Sequence, residues 1–135
     1  MNTITVPARA DQLDTVQAFI GQMLSAVPCA PETQIQLQIV VEELFVNIAH
    51  YAYPQGAGTA VVGCEVDRCP AGVTIQFRDR GIPFNPLLRE DADLTRPAEE
   101  RQPGGLGILM VKQAADRIHY AYEDDQNILT LRKDL

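Results

Sequence analysis

Gly72-Val73-Thr74-Ile75-Gln76-Phe77-Arg78-Asp79-Arg80-Gly81 is the stretch from which the fold can be read. In an extended chain Val73, Ile75 and Phe77 fall on one face and Thr74, Gln76 and Arg78 on the other. That period of two marks a strand with one buried face. Sheets covered on a single face are mostly antiparallel. The run at 59–66 reads as the partner strand, joined through a turn around Arg68-Cys69-Pro70-Ala71. At its far end the strand meets Asp79 and Gly81, an acid and then a glycine able to take an unusual turn.

Outward from this hairpin the period changes. Thr3-Ile4-Thr5-Val6 alternates as a short strand closed by Pro7. From Asp11, the positions Leu13, Val16, Phe19, Ile20, Met23, Leu24 and Val27 trace one helical stripe that Pro28 ends. Pro31-Glu32 opens a second helix, with proline in the first turn and an acid at the amino-terminal dipole. Its apolar positions carry it to about Ala49. Residues 81–104 contain four prolines and no periodicity, the pattern of a long functional or disordered loop. A third helix is expected from Ile108 to about Asp116. Strands at 117–123 and 127–132 then flank a turn at Asp124-Asp125-Gln126-Asn127. The expected order is β-α-α-β-β-loop-α-β-β. It predicts an α+β, two-layer sandwich in one domain spanning 1–135: a mixed, mostly antiparallel five-stranded sheet with helices on one face.

With 135 residues the chain can bury one core. No apolar run approaches the roughly 20 residues needed to span a bilayer. The first residues lack the regions of a signal peptide, so the expectation is a cytoplasmic protein with no membrane partner. A net charge of −7, from 11 basic and 18 acidic side chains, argues against nucleic acid. It leaves phosphate ligands open, because backbone N–H groups and a metal can hold them. Cys29, Cys64 and Cys69 lack metal-ligand spacing and read as reduced thiols.

Three motifs carry chemistry. In Glu43-x-x-x-Asn47 a carboxylate and a carboxamide share a helix face. The carboxylate can orient or deprotonate a hydroxyl, and the amide oxygen suits a hard cation such as Mg²⁺. Asp79, when ionised, only accepts hydrogen bonds and can read an exocyclic amino group. Gly104-Gly105-Leu106-Gly107 precedes a helix, where backbone N–H groups and the dipole favour an anion. Neither a P-loop nor a dinucleotide fingerprint surrounds it. His119 reads as structural, whereas His50 can line a pocket or close a helix.

At these residues the chain resembles the histidine-kinase-like (GHKL) ATPase superfamily, whose nucleotide-binding domain has the Bergerat fold. More narrowly, it resembles the stand-alone serine/threonine kinases that act as bacterial anti-sigma factors. The stretch from Val41-Glu42-Glu43 through Asn47 to Tyr53-Pro54 is similar to the family's N box. Asp79-Arg80-Gly81-Ile82-Pro83-Phe84 is similar to its first glycine box, and Gly104-Gly105-Leu106-Gly107 to its second. Asn127-Ile128-Leu129-Thr130-Leu131-Arg132-Lys133 is similar to its closing strand. Two departures are Tyr51 where many members have histidine, and a shortened second glycine box.

The resemblance implies ATP and Mg²⁺ as cofactors, with Asn47 on the metal and Glu43 as general base or hydroxyl-orienting residue. Asp79 would bond the adenine amino group, with Gly81 allowing close approach and Phe84 completing the box. Gly104, Gly105, Leu106 and Gly107 would hold phosphates, Thr130 would support adenine, and residues 85–103 would form a lid. The implied function is a protein kinase phosphorylating a small anti-sigma-factor antagonist and controlling a sigma factor or similar regulator. A homodimer is implied by the likeness alone. The alternative is a regulatory module whose partner affinity depends on ATP or ADP without phosphotransfer. A detached histidine-kinase catalytic domain fits less well, because no phospho-acceptor helix pair precedes the first strand.

Overall fold

The computed structural model describes residues 1–88 and 105–135. Strand β1 (Asn2–Pro7) leads into helices α1 (Leu13–Leu24) and α2 (Pro31–Tyr51). The hairpin β2 (Thr59–Arg68) and β3 (Ala71–Asp79) follows, then helix α3 (Gly105–Ala114), then a second hairpin, β4 (Arg117–Glu123) and β5 (Gln126–Asp134). Among the described residues the strands form one sheet in the order β1-β2-β3-β5-β4. Every neighbouring pair is antiparallel, so the sheet expected to be mixed has no parallel pair.

The alternation in β3 is what layers the molecule. Val73, Ile75 and Phe77 face the helices beside Val62 and Cys64 of β2 and Leu129 and Leu131 of β5, all buried. Val16, Ile20 and Leu24 of α1 and Leu37, Val40, Val41, Leu44 and Phe45 of α2 pack onto them. Phe45 is 0% exposed, and truncating such a side chain to alanine costs about 3–5 kcal/mol. That is a large share of a typical domain's stability, so α2 is the anchor of the helical layer. The other face of the sheet is polar: Gln76 donates to Thr130 Oγ1 at 3.0 Å, and the Arg132 guanidinium lies over Gly72 and pairs with Asp67.

Boundaries moved for identifiable reasons. Helix α1 stops at Leu24, and the chain leaves it through tightened turns, Ala26 N–H to Met23 and Val27 N–H to Leu24. Val27 stays buried outside the helix, because a residue before proline is pushed from helical dihedrals. Helix α2 continues to Tyr51, and α3 begins at Gly105, which puts Gly105 and Gly107 inside its first turn.

The β4–β5 connection has two residues instead of the four expected, since Glu123 pairs with Gln126. Asp124 and Asp125 both adopt positive φ, 53° and 61°, the geometry of a tight hairpin turn that favours Asp-Gly. Asp125→Gly should therefore stabilise the fold by about 0.5–1 kcal/mol. Thermal denaturation should show a midpoint about 3 °C higher; an unchanged or lower midpoint contradicts this reading of the turn.

Candidate functional site

The end of β3 abuts the end of α2. Ile82 N–H donates to the Ala52 carbonyl at 2.9 Å, and a Cβ on Gly81 would collide with that carbonyl's oxygen and carbon. Gly81 is thus required by space, and its backbone is not left-handed. The close approach it permits is between strand end and helix end. Tyr53 clamps the same junction, donating to the Thr59 carbonyl at 2.6 Å and accepting from Arg80 N–H at 2.8 Å.

This junction brings Asn47 of α2 beside Asp79, the last residue of β3, at the wall of one cleft. Leu44, Phe77, Phe84 and Leu129 add apolar lining. The cleft's volume is about 30 Å³, far below the roughly 300–1,000 Å³ of ready-formed small-molecule sites. A planar ligand therefore has to displace side chains at the rim to enter. Phe84 is on that rim, its ring 5.8 Å from that of Tyr51.

Asp79 is 7% exposed. Its Oδ1 accepts from Gly81 N–H and from Asn127 Nδ2, both at 2.9 Å. Burial pushes the carboxyl above its usual range, and the Asn127 and Gly81 hydrogen bonds partly oppose that. Among the described residues no protein group bonds Oδ2. Asn127 was not singled out from sequence. It stands opposite Asp79 in the β3–β5 register, donates to the Ile82 carbonyl at 2.8 Å, and accepts from Phe84 N–H at 3.0 Å and from the Tyr120 hydroxyl. The available signal was phase: Asn127, Leu129 and Leu131 share the buried face of β5.

That phase also corrects Thr130. Its hydroxyl accepts from Gln76 on the open face, away from the cleft, so it does not support a ligand there. Asn127 occupies the place expected for it. His119 is likewise exposed on the open face, and His50 is exposed beside the Tyr51 ring.

Glu43 and Asn47 are together as expected. Asn47 Nδ2 donates to Glu43 Oε1 at 3.4 Å, and the carboxylate of Glu43 reaches the first turn of α3, where a Cβ on Gly107 would strike it. The helix start carrying Gly105, Leu106 and Gly107 therefore meets the Glu43–Asn47 face. Gly104 and residues 89–103 of the expected lid lie outside the described residues, while Pro86 is buried at the cleft. Among the described residues no group of three or more His, Cys, Asp or Glu side chains gathers as a metal cage. With its Nδ2 turned to Glu43, Asn47 can offer its amide oxygen. One hard protein ligand fits Mg²⁺, which keeps waters and takes phosphate oxygens for the rest. Burial raises the Cys64 thiol to about 12, so it is unreactive. No described helix is long and apolar enough to cross a membrane.

A strand-end acid and a helix-borne Asn lining one cleft, with Glu43 bonded to that Asn and touching a glycine-bearing helix start, are the arrangement of a nucleotide-binding class. Residues 6–133 match the model of the histidine kinase-like ATPase domain, and the chain belongs to that family. It is 25% identical over 95 residues, 70% of its length, to the serine/threonine-protein kinase BtrW of Bordetella bronchiseptica. Its fold is similar to the histidine kinase domain of the blue-light activated histidine kinase EL346 of Erythrobacter litoralis, with a TM-score of 0.60, 15% identity and 96% of this chain covered. The chain spans 66% of the first relative and 62% of the second.

Asp79→Asn separates binding from stability. Because the folded carboxyl titrates above its unfolded value, its stabilising contribution exists at pH below the unfolded pKa. It is lost as pH rises through the folded one. At neutral pH the buried charge is a net cost, and asparagine keeps an acceptor for Gly81 and Asn127. The variant should hold or gain thermal stability at pH 7 and lose ATP affinity by at least about tenfold, as measured by calorimetry. Retained affinity would remove Asp79 from the site.

Proposed function

We propose that this chain is an ATP- and Mg²⁺-dependent protein serine/threonine kinase of the anti-sigma-factor type, acting in the cytoplasm. Its substrate is a small antagonist protein, and its other client is a sigma factor or a comparable regulator. The observation that carries the proposal is the placement of the Glu43 carboxylate against Gly107, where the glycine-bearing helix start meets the N-box helix. A module that only binds nucleotide has no need of a carboxylate at that spot.

In this reading Asp79 takes the base, Asn47 offers a ligand to the metal, and the first N–H groups of α3 receive phosphate oxygens. Mg²⁺, when bound, neutralises charge on the transferring phosphate. Glu43 orients the acceptor serine hydroxyl and takes its proton. As the serine oxygen bonds to the γ-phosphorus, the bond to the bridging oxygen breaks, and ADP leaves. Two features support a protein acceptor. Ile35 and Ile39 are exposed, at 57% and 38%, two turns and one turn before Glu43 on α2. Resemblance to a kinase named for serine and threonine supports the acceptor type.

Glu43→Ala should cut transfer to the antagonist at least about a hundredfold and leave ATP affinity in place. The check is labelled ATP with phosphoserine detection, beside calorimetry. Undiminished transfer would sink the role of Glu43, and absence of transfer by the wild type would leave the nucleotide-controlled binding module. Gly107→Ala, which displaces the Glu43 carboxylate, should slow transfer by a comparable factor with Asp79 untouched.

A further inference from the structure

Asn127 uses its amide on both sides. Nδ2 donates to Asp79 Oδ1 and to the Ile82 carbonyl; Oδ1 accepts from Phe84 N–H and the Tyr120 hydroxyl. Two of these partners fix the orientation absolutely, since a backbone N–H can only donate and a carbonyl can only accept. A flipped amide would set its oxygen against the Ile82 carbonyl and the Asp79 carboxylate, and its NH₂ against the Phe84 N–H. A serine or threonine hydroxyl, with one proton, could not donate to both Asp79 and Ile82.

We propose that Asn127 is the positioning residue for base selection: it occupies Oδ1 of Asp79, leaves Oδ2 to face the cleft as an acceptor, and so makes the pocket take a 6-aminopurine and refuse a 6-oxopurine. The inference rests on the nucleotide reading above. Its physical basis is the hydrogen bond to the charged form of Asp79, which favours ionisation against the cost of burial. A neutral carboxyl would gain an O–H donor and could serve a 6-oxo group; an ionised one cannot. The titratable groups facing Asp79 are the phenols of Tyr53 and Tyr120. Both are held above their usual value, by burial first and then by the Asp79 charge, so they stay neutral as Asp79 titrates. Among the described residues no cation pairs with Asp79, and Arg80 turns outward to the Asp124 carbonyl at 3.5 Å.

The test is calorimetric titration of wild type and Asn127→Leu with ATP and with GTP from pH 5 to pH 8, with circular dichroism confirming the fold. Wild type should prefer ATP, with binding lost on the acid side. In Asn127→Leu that acid limb should move up by about one pH unit, weakening ATP about tenfold below it. The ATP-to-GTP preference should narrow over the same range. Asn127→Ser, which keeps one donor in a smaller volume, should fall between the two, and it covers the case in which the leucine variant does not fold. A folded variant with the wild-type pH profile and wild-type preference overturns the inference. A wild type that binds neither nucleotide overturns the site reading itself, and this inference with it.

Discussion

Where β3 leaves the sheet, its backbone has to pass in contact with the last turn of α2. Gly81 makes that possible by carrying no Cβ, and the Ala52 carbonyl meets it with a hydrogen bond to Ile82. Two rigid elements are thereby joined backbone to backbone, an arrangement that side-chain rearrangement cannot relax. The depth of Asn47 relative to Asp79 follows from it, as does the direction in which residues 82–84 set out across the cleft. Phe45, buried under the same helix, supplies the packing energy that keeps α2 in place.

The layering was legible in the sequence because period two and period 3.6 are physical consequences of burial on one side. Glu43, Asn47, Asp79 and Gly81 were legible because spacing on a single element places them. The misplacement at β5 shows the boundary of that method. Thr130 and Asn127 lie three residues apart and therefore on opposite faces of the strand. Only the alternation of Leu129 and Leu131 distinguishes them, and motif matching passes over it. The contact between Glu43 and Gly107 was beyond reach, since it depends on how α3 docks on α2. Gly105 and Gly107 read as a loop before a helix because glycine is a poor helix former. In the first turn, where N–H groups have no intrahelical partner anyway, that cost is small.

The two ends of the cleft differ in how firmly they are held. Around the base end, Asp79 and Asn127 are bound by short, mutually consistent hydrogen bonds to strand and loop backbone. At the other end the described contact between Asn47 and Glu43 is long, 3.4 Å, and weak at that distance. The hydrogen bonds around Asp79 are thus already formed in the free protein, whereas the one between Asn47 and Glu43 adds little. Membership in the histidine kinase-like ATPase family agrees with that division, because its domain has to recognise a nucleotide before any transfer can occur.

The hydrogen bond from Asn127 to Asp79 joins residues 48 positions apart, across the pairing of β3 with β5. Such a contact forms only once a long loop has closed, which places it among the slower events of folding. The binding cleft therefore has no existence in a partly folded chain. Occupancy and global folding are thermodynamically linked, and nucleotide at a hundred times its dissociation constant adds about 2.7 kcal/mol to the stability of the whole domain. For such a protein, the cell's nucleotide pool is a determinant of how much of it survives folded.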